Sequence, residues 1–118
     1  MQRLWRALFF SFAGLKDAWK EPACRLELVG IAIAIPVAMW LPVSRVERVV
    51  LIASALLVLA VELLNTSIER TVDRIGAERH ELSRRAKDLG SAAVFVTTVI
   101  AAFVWGALAG PAALSLLP

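Results

Sequence analysis

The sequence predicts an all-α membrane protein, with an N-terminal amphipathic surface helix followed by three transmembrane helices packed as a bundle. Three observations predict it. Of the 118 residues, 59% are hydrophobic and the mean hydropathy is +0.73, whereas an ordinary soluble domain is about 45–50% apolar. The excess is concentrated in blocks: Leu28–Ser44 and Leu89–Pro118 carry no charge, and Val49–Ile68 carries only Glu62. Each block approaches the roughly 20 apolar residues that a spanning helix needs. The cations, finally, are divided among the flanks of these blocks.

Residues 1–118 therefore read as one membrane domain: a surface helix over 1–25, spans over 26–43, 46–72 and 84–115, and a cytoplasmic loop over 73–83. In the first element, Leu4, Trp5, Leu8, Phe9, Phe12, Leu15 and Trp19 recur at helical spacing, with Arg3, Arg6, Asp17 and Lys20 on the other side. Such a helix lies in the interface plane with its aromatic face among the acyl chains. Four aromatic rings and the lack of a small-residue cleavage site argue against a signal peptide. Glu21-Pro22-Ala23 turns the chain into the first span, since proline is tolerated at a helix start. Pro36 removes an internal hydrogen bond and predicts a kink, and Trp40 marks the outer end as an interfacial anchor. The short link Pro42–Glu47 makes spans one and two antiparallel neighbours. Gly76 is the expected stop of the second helix, and the third is expected to begin near Ser83. Gly90, Ser91, Ala92 and Ala93 give that third helix a face that another helix can approach closely.

Five cations precede the first span, two lie between spans one and two, and six lie between spans two and three. The positive-inside rule places the N-terminus and the second loop in the cytoplasm and the C-terminus outside. The net charge of +3 is thus a topology signal, and a nucleic-acid partner is not expected. Cys24 is the only cysteine, which excludes an intramolecular disulfide; on the cytoplasmic side it is read as a spare reduced thiol.

The chemistry-bearing feature is a polar stripe on span two. With Glu62 at zero on a helical wheel, Asn65 falls near −60°, Glu69 near −20° and Asp73 near +20°. All four share about a quarter of the circumference and extend over about 16 Å of axis. A charge at mid-bilayer costs roughly 2.5–3.5 kcal/mol on insertion scales, so such residues usually mark a site. Depth grades their roles. Glu62, partly desolvated, is suited to accept a proton. Glu69, nearer water, is suited to a hard cation such as Mg²⁺, which takes a few carboxylates and phosphate oxygens. Lys87 supplies a compact positive charge for phosphate. A base, a metal carboxylate and a lysine are parts of a phosphoryl-transfer site. No GxxxxGK[ST], GxGxxG or kinase catalytic-loop pattern is present, and His80, the single histidine, cannot build a histidine cage. Residue chemistry alone leaves open an enzyme, an ion-coupled transporter subunit and a structural helix bundle.

The segment Glu62-Leu-Leu-Asn65-Thr-Ser-Ile-Glu69, with Val72-Asp73-Arg74-Ile75-Gly76, His80-Glu81-Leu82-Ser83 and Arg85-Ala-Lys87-Asp88-Leu-Gly90-Ser91, resembles the bacterial integral-membrane diacylglycerol kinases. That family extends to undecaprenol kinases. The resemblance covers nearly the whole chain and implies a homotrimer in the bacterial inner membrane with active sites between subunits. It implies transfer of the γ-phosphoryl of MgATP to the hydroxyl of diacylglycerol, giving phosphatidic acid. The stretches from Asp73 to Gly76, His80 to Ser83 and Gly90 to Ala92 favour diacylglycerol over undecaprenol as substrate.

Residue by residue, the resemblance assigns Glu62 as catalytic base, and Glu21 and Glu69 as carboxylates for Mg²⁺ and its ATP. Asn65, Lys87 and Asp88 are assigned around the nucleotide and the reacting centre. Glu78, Arg79 and His80 match a loop that contacts ATP. Arg3 falls near both substrates, and Arg48 and Ser91 on the lipid side. Phe10 and Arg79 stand where relatives often carry tyrosine, and both are assigned to the nucleotide.

Overall fold

The computed structural model describes residues 1–76 and 80–118, and Glu78 and Arg79 lie outside the described residues. These residues form four α-helices: α1 Gln2–Ala18, α2 Pro22–Trp40, α3 Arg45–Ile75 and α4 Glu81–Leu114. Helices α2, α3 and α4 are long and apolar enough to cross a membrane. The assembly is a flat layer, 58 × 40 × 21 Å in extent.

Local chemistry sets each boundary. The chain breaks at Trp19–Glu21 and restarts at Pro22, whose fixed φ suits the first turn of α2. The first element predicted over 1–25 is therefore a helix to Ala18, a turn, and the opening of α2. Pro36 is accommodated inside α2, which continues to Trp40. A capping box starts α3: Ser44 Oγ accepts from the Glu47 N–H at 3.1 Å, and Glu47 Oε1 accepts from the Ser44 N–H at 3.3 Å. Gly76 ends α3 by passing into extended backbone. His80 caps α4, its Nδ1 accepting the Leu82 N–H at 3.1 Å, so α4 begins at Glu81, ahead of the Ser83 expected from sequence.

The packing seam runs along α3. Leu51, Ser54, Val58, Leu59, Glu62 and Asn65 are its buried residues, and they occupy one arc of about 140° at 100° per residue. Opposite them, α4 buries Gly90 and Thr97. The register is antiparallel: the Trp105 indole N–H donates to the Leu51 carbonyl at 3.1 Å, and Lys87 Nζ meets Asp73 Oδ1 at 2.6 Å near the other end. On its second flank α3 holds α2. Arg48 donates to the carbonyls of Ala38 at 2.9 Å, Leu41 at 3.2 Å and Val43 at 3.4 Å, tying the end of α2 and the link that follows it to the first turns of α3. Cys24 Sγ and Thr66 Oγ1 approach to 3.3 Å at the opposite end, and the thiol is free and buried.

Most large apolar side chains face outward, among them Leu26, Ile33, Leu64, Phe95 and Phe103. In water that surface would be prohibitive; it is what a helix presents to lipid or to neighbouring helices. The aromatic residues of α1, Trp5, Phe9, Phe10 and Phe12, are equally exposed.

Candidate active site

The polar stripe continues the packing seam of α3, so the same face that holds the bundle together also carries the acids. Glu62 and Asn65 are each 8% exposed, whereas Glu69 and Asp73 lie exposed farther along the helix. Asn65 Nδ2 donates to Glu69 Oε1 at 3.2 Å, the i,i+4 reach of one helical turn. Asn65 Oδ1 is buried without a hydrogen-bond partner, a condition that costs roughly 1–3 kcal/mol. It points at Gly90 of α4, where a Cβ would collide with it.

Charged contacts flank this centre on both sides. Lys87 is paired with Asp73, which places the ammonium of α4 beside the outer end of the stripe. Asp88 Oδ2 accepts from Arg84 Nη1 at 2.9 Å. From the other side, Glu21 Oε1 accepts from Arg70 Nη2 at 2.8 Å, which sets Glu21 against the turn of α3 that carries Glu69. Arg70 Nη1 also bonds Asp17 of α1, and the guanidinium holds the Asp17 carboxyl below its ordinary value of 3.8. Among the described residues, no three His, Cys, Asp or Glu side chains gather as a ready-made metal cage. The available donors are the carboxylates of Glu21 and Glu69. They are hard oxygens and few in number, which suits Mg²⁺ better than a transition metal, because Mg²⁺ keeps several waters and takes substrate phosphates.

Comparison with known proteins gives the arrangement its context. The family model "Prokaryotic diacylglycerol kinase" matches residues 9–109. The chain belongs to the prokaryotic diacylglycerol kinase family. It is 49% identical to the diacylglycerol kinase of Escherichia coli K12 over 104 residues, covering 87% of this chain and 85% of that protein. It is 50% identical to the Haemophilus influenzae diacylglycerol kinase over 100 residues, covering 84% of this chain and 85% of the relative. The Pseudomonas aeruginosa diacylglycerol kinase is 46% identical over 109 residues, covering 92% and 89%.

Within this family member, the residues singled out from sequence fall into two groups. Glu62, Asn65 and Glu69 cluster on α3, with Lys87 joined to its outer end through Asp73 and Glu21 joined to its flank through Arg70. The others stand apart. Arg3 and Phe10 lie exposed on α1, with the Phe10 ring edge-on to Phe9 at 5.9 Å. His80 serves as the cap of α4. Ser91 is exposed. Arg48 is committed to the carbonyls that end α2, about 30 Å along α3 from Glu69 at 1.5 Å per residue.

Sequence reasoning missed one participant. Arg70 was counted only among the topology-setting cations, yet it joins three elements. A cavity of about 490 Å³ opens behind it between α1 and α3, lined by Leu15, Asp17, Ala18, Leu63, Thr66 and Arg70 among others.

Proposed function

We propose that this protein is a lipid kinase that transfers the γ-phosphoryl of ATP to the free hydroxyl of diacylglycerol, giving phosphatidic acid and ADP. The observation that carries the reading is the gradient along one rigid helix: Glu62 and Asn65 are buried, and Glu69 and Asp73 are exposed a few turns on. A hydroxyl dissolved in lipid and a phosphate chain dissolved in water meet only where one element spans both media. The curated relatives named diacylglycerol kinase support the choice of lipid.

Glu62 takes the proton of the lipid hydroxyl as its oxygen bonds the γ-phosphorus and the bond to the β-phosphate oxygen breaks. Asn65 fixes the rotamer of Glu69 from within the seam. Glu69 and Glu21 are the carboxylates that would hold Mg²⁺, which when bound neutralises phosphate charge and polarises the transferring group. Lys87 leaves Asp73 to meet phosphate oxygens, and Asp88 lies next to it in sequence. Such a site works mainly by positioning and charge stabilisation. The exposed aromatic residues of α1 seat it in the membrane interface, with the N-terminus and the α3–α4 connection on the cytoplasmic side of the inner membrane. The outward-facing apolar surfaces and the exposed small residues Ser91, Ala92 and Ala93 suit a homotrimer whose sites are completed between subunits.

The test is direct. Purified protein in bilayers, given radiolabelled ATP and Mg²⁺, is offered diacylglycerol and undecaprenol side by side. Labelled phosphatidic acid is the expected product, and Glu62→Gln abolishes it while leaving assembly intact. Full activity in Glu62→Gln removes Glu62 as the base. Labelled undecaprenyl phosphate alone reassigns the lipid, and no product with either lipid favours a structural bundle.

A further inference from the structure

We infer that Arg70 is a positioning residue for the metal carboxylate Glu21. The inference rests on the kinase reading above and deepens it. Three observations support it. The guanidinium bonds Asp17 and Glu21 together, through Nη1 and Nη2, a fork geometry that arginine provides and lysine does not. It stands next in sequence to Glu69, so it draws Glu21, which belongs to the α1–α2 turn, onto the turn of α3 that bears the other metal carboxylate. It uses only Oε1 of Glu21; among the described residues Oε2 accepts no hydrogen bond, leaving one oxygen of a fixed carboxylate for a cation.

The alternative is that Arg70 and a cation compete for Glu21. Electrostatics alone favours competition, since a cation near a carboxylate weakens the binding of a second. The geometry favours support. Glu21 is the N-cap position of α2 in extended backbone, with no side-chain cap bond, so without Arg70 its carboxylate has no described side-chain partner. Asp17 lies on the same fork and offsets the guanidinium charge; with Lys20 also 3.7 Å from Asp17, the bonded group of Arg70, Lys20, Asp17 and Glu21 is neutral rather than positive. Hydrogen-bonded partners of ligating side chains typically contribute 10–100-fold to metal affinity or activity.

The experiment uses the full chain in detergent or bilayers and reads Mn²⁺ binding by electron paramagnetic resonance, with the Mg²⁺ dependence of lipid phosphorylation alongside. Arg70→Gln is expected to weaken Mn²⁺ binding about tenfold or more. The Mg²⁺ concentration for half-maximal rate rises correspondingly, while kcat at saturating Mg²⁺ changes much less. Arg70→Lys, which keeps the charge and loses the fork, recovers only part of the affinity. Asp17→Asn frees the guanidinium charge but keeps the bond to Glu21, and weakens Mn²⁺ binding less than Arg70→Gln. Unchanged or tighter Mn²⁺ binding in Arg70→Gln overturns the inference and makes Arg70 a competitor or a surface pair. A wild-type protein that phosphorylates no lipid and binds no Mn²⁺ instead overturns the kinase reading and this inference with it.

Discussion

Gly90→Ala tests the seam and the site in one substitution. A Cβ at position 90 would sit closer to Asn65 Oδ1 than side chains tolerate, 3.3 Å from Asn65 Cγ and 3.8 Å from Ile68 Cδ1. Two effects on stability oppose each other. Alanine is better than glycine inside a helix by about 0.8–1.0 kcal/mol, while inserting a methyl into a packed contact costs typically about 1–3 kcal/mol. The atom struck is the end of a side chain, so Asn65 turns aside rather than the backbone moving, and the net loss is roughly 0–2 kcal/mol. Activity suffers more. Turning Asn65 away breaks its bond to Glu69 and frees a carboxylate assigned to the metal, and a misplacement of about 1 Å can cost on the order of 100-fold in rate. Denaturation in mixed micelles and initial rates of lipid phosphorylation, measured on the same preparation, separate the two effects. The expected outcome is a modest loss of stability with at least a tenfold fall in kcat. Wild-type rate with wild-type stability would refute the reasoning, because it would mean that Asn65 does not occupy the space against Gly90 during turnover.

Two further outcomes follow from named contacts. Trp105→Phe deletes the indole donor to the Leu51 carbonyl and should lower unfolding stability by about 0.6 kcal/mol, and by no more than about 1.7, the range measured for hydrogen bonds within membrane bundles. Because folding lowers the Asp17 pKa below 3.8 through Arg70, that contact stabilises the docked α1 fully above the unfolded value and is lost as pH falls through the folded one. Hydrogen exchange of α1 amides should therefore lose protection on acidification below about pH 4, and Asp17→Asn should flatten that dependence. An α1 whose protection in the wild type is the same at pH 3 and pH 6 would remove the tether.

The fold was legible where periodicity and composition speak alone. Uninterrupted apolar runs announced α2, α3 and α4, and the acids of α3 fell on one face because their spacing follows the helical repeat. Boundaries depended on single groups that composition does not weigh. The imidazole of His80 starts α4 ahead of Ser83, and Pro22 divides what hydropathy joins into one element over 1–25. The buried half of the site was readable from Glu62 and Asn65. Its cross-helix half was not, because Lys87 meets Asp73 only through the way α4 lies against α3. Arg70 shows the same limit: in sequence it is one of several flanking cations, and only the fold gives it two acidic partners on other elements. Gly90 was visible as part of a small-residue face, but its particular partner, Asn65, required the antiparallel register of α3 and α4.

Arg48 binds the end of α2 to the beginning of α3 at the side remote from Glu69. At the other end Arg70 holds Glu21, the N-cap of α2, and Cys24 packs against Thr66. The two rods are thus pinned at both corners and can neither slide nor splay apart. A fatty acyl chain reaching the acids from the bilayer therefore meets a fixed wall of paired helices rather than a hinge.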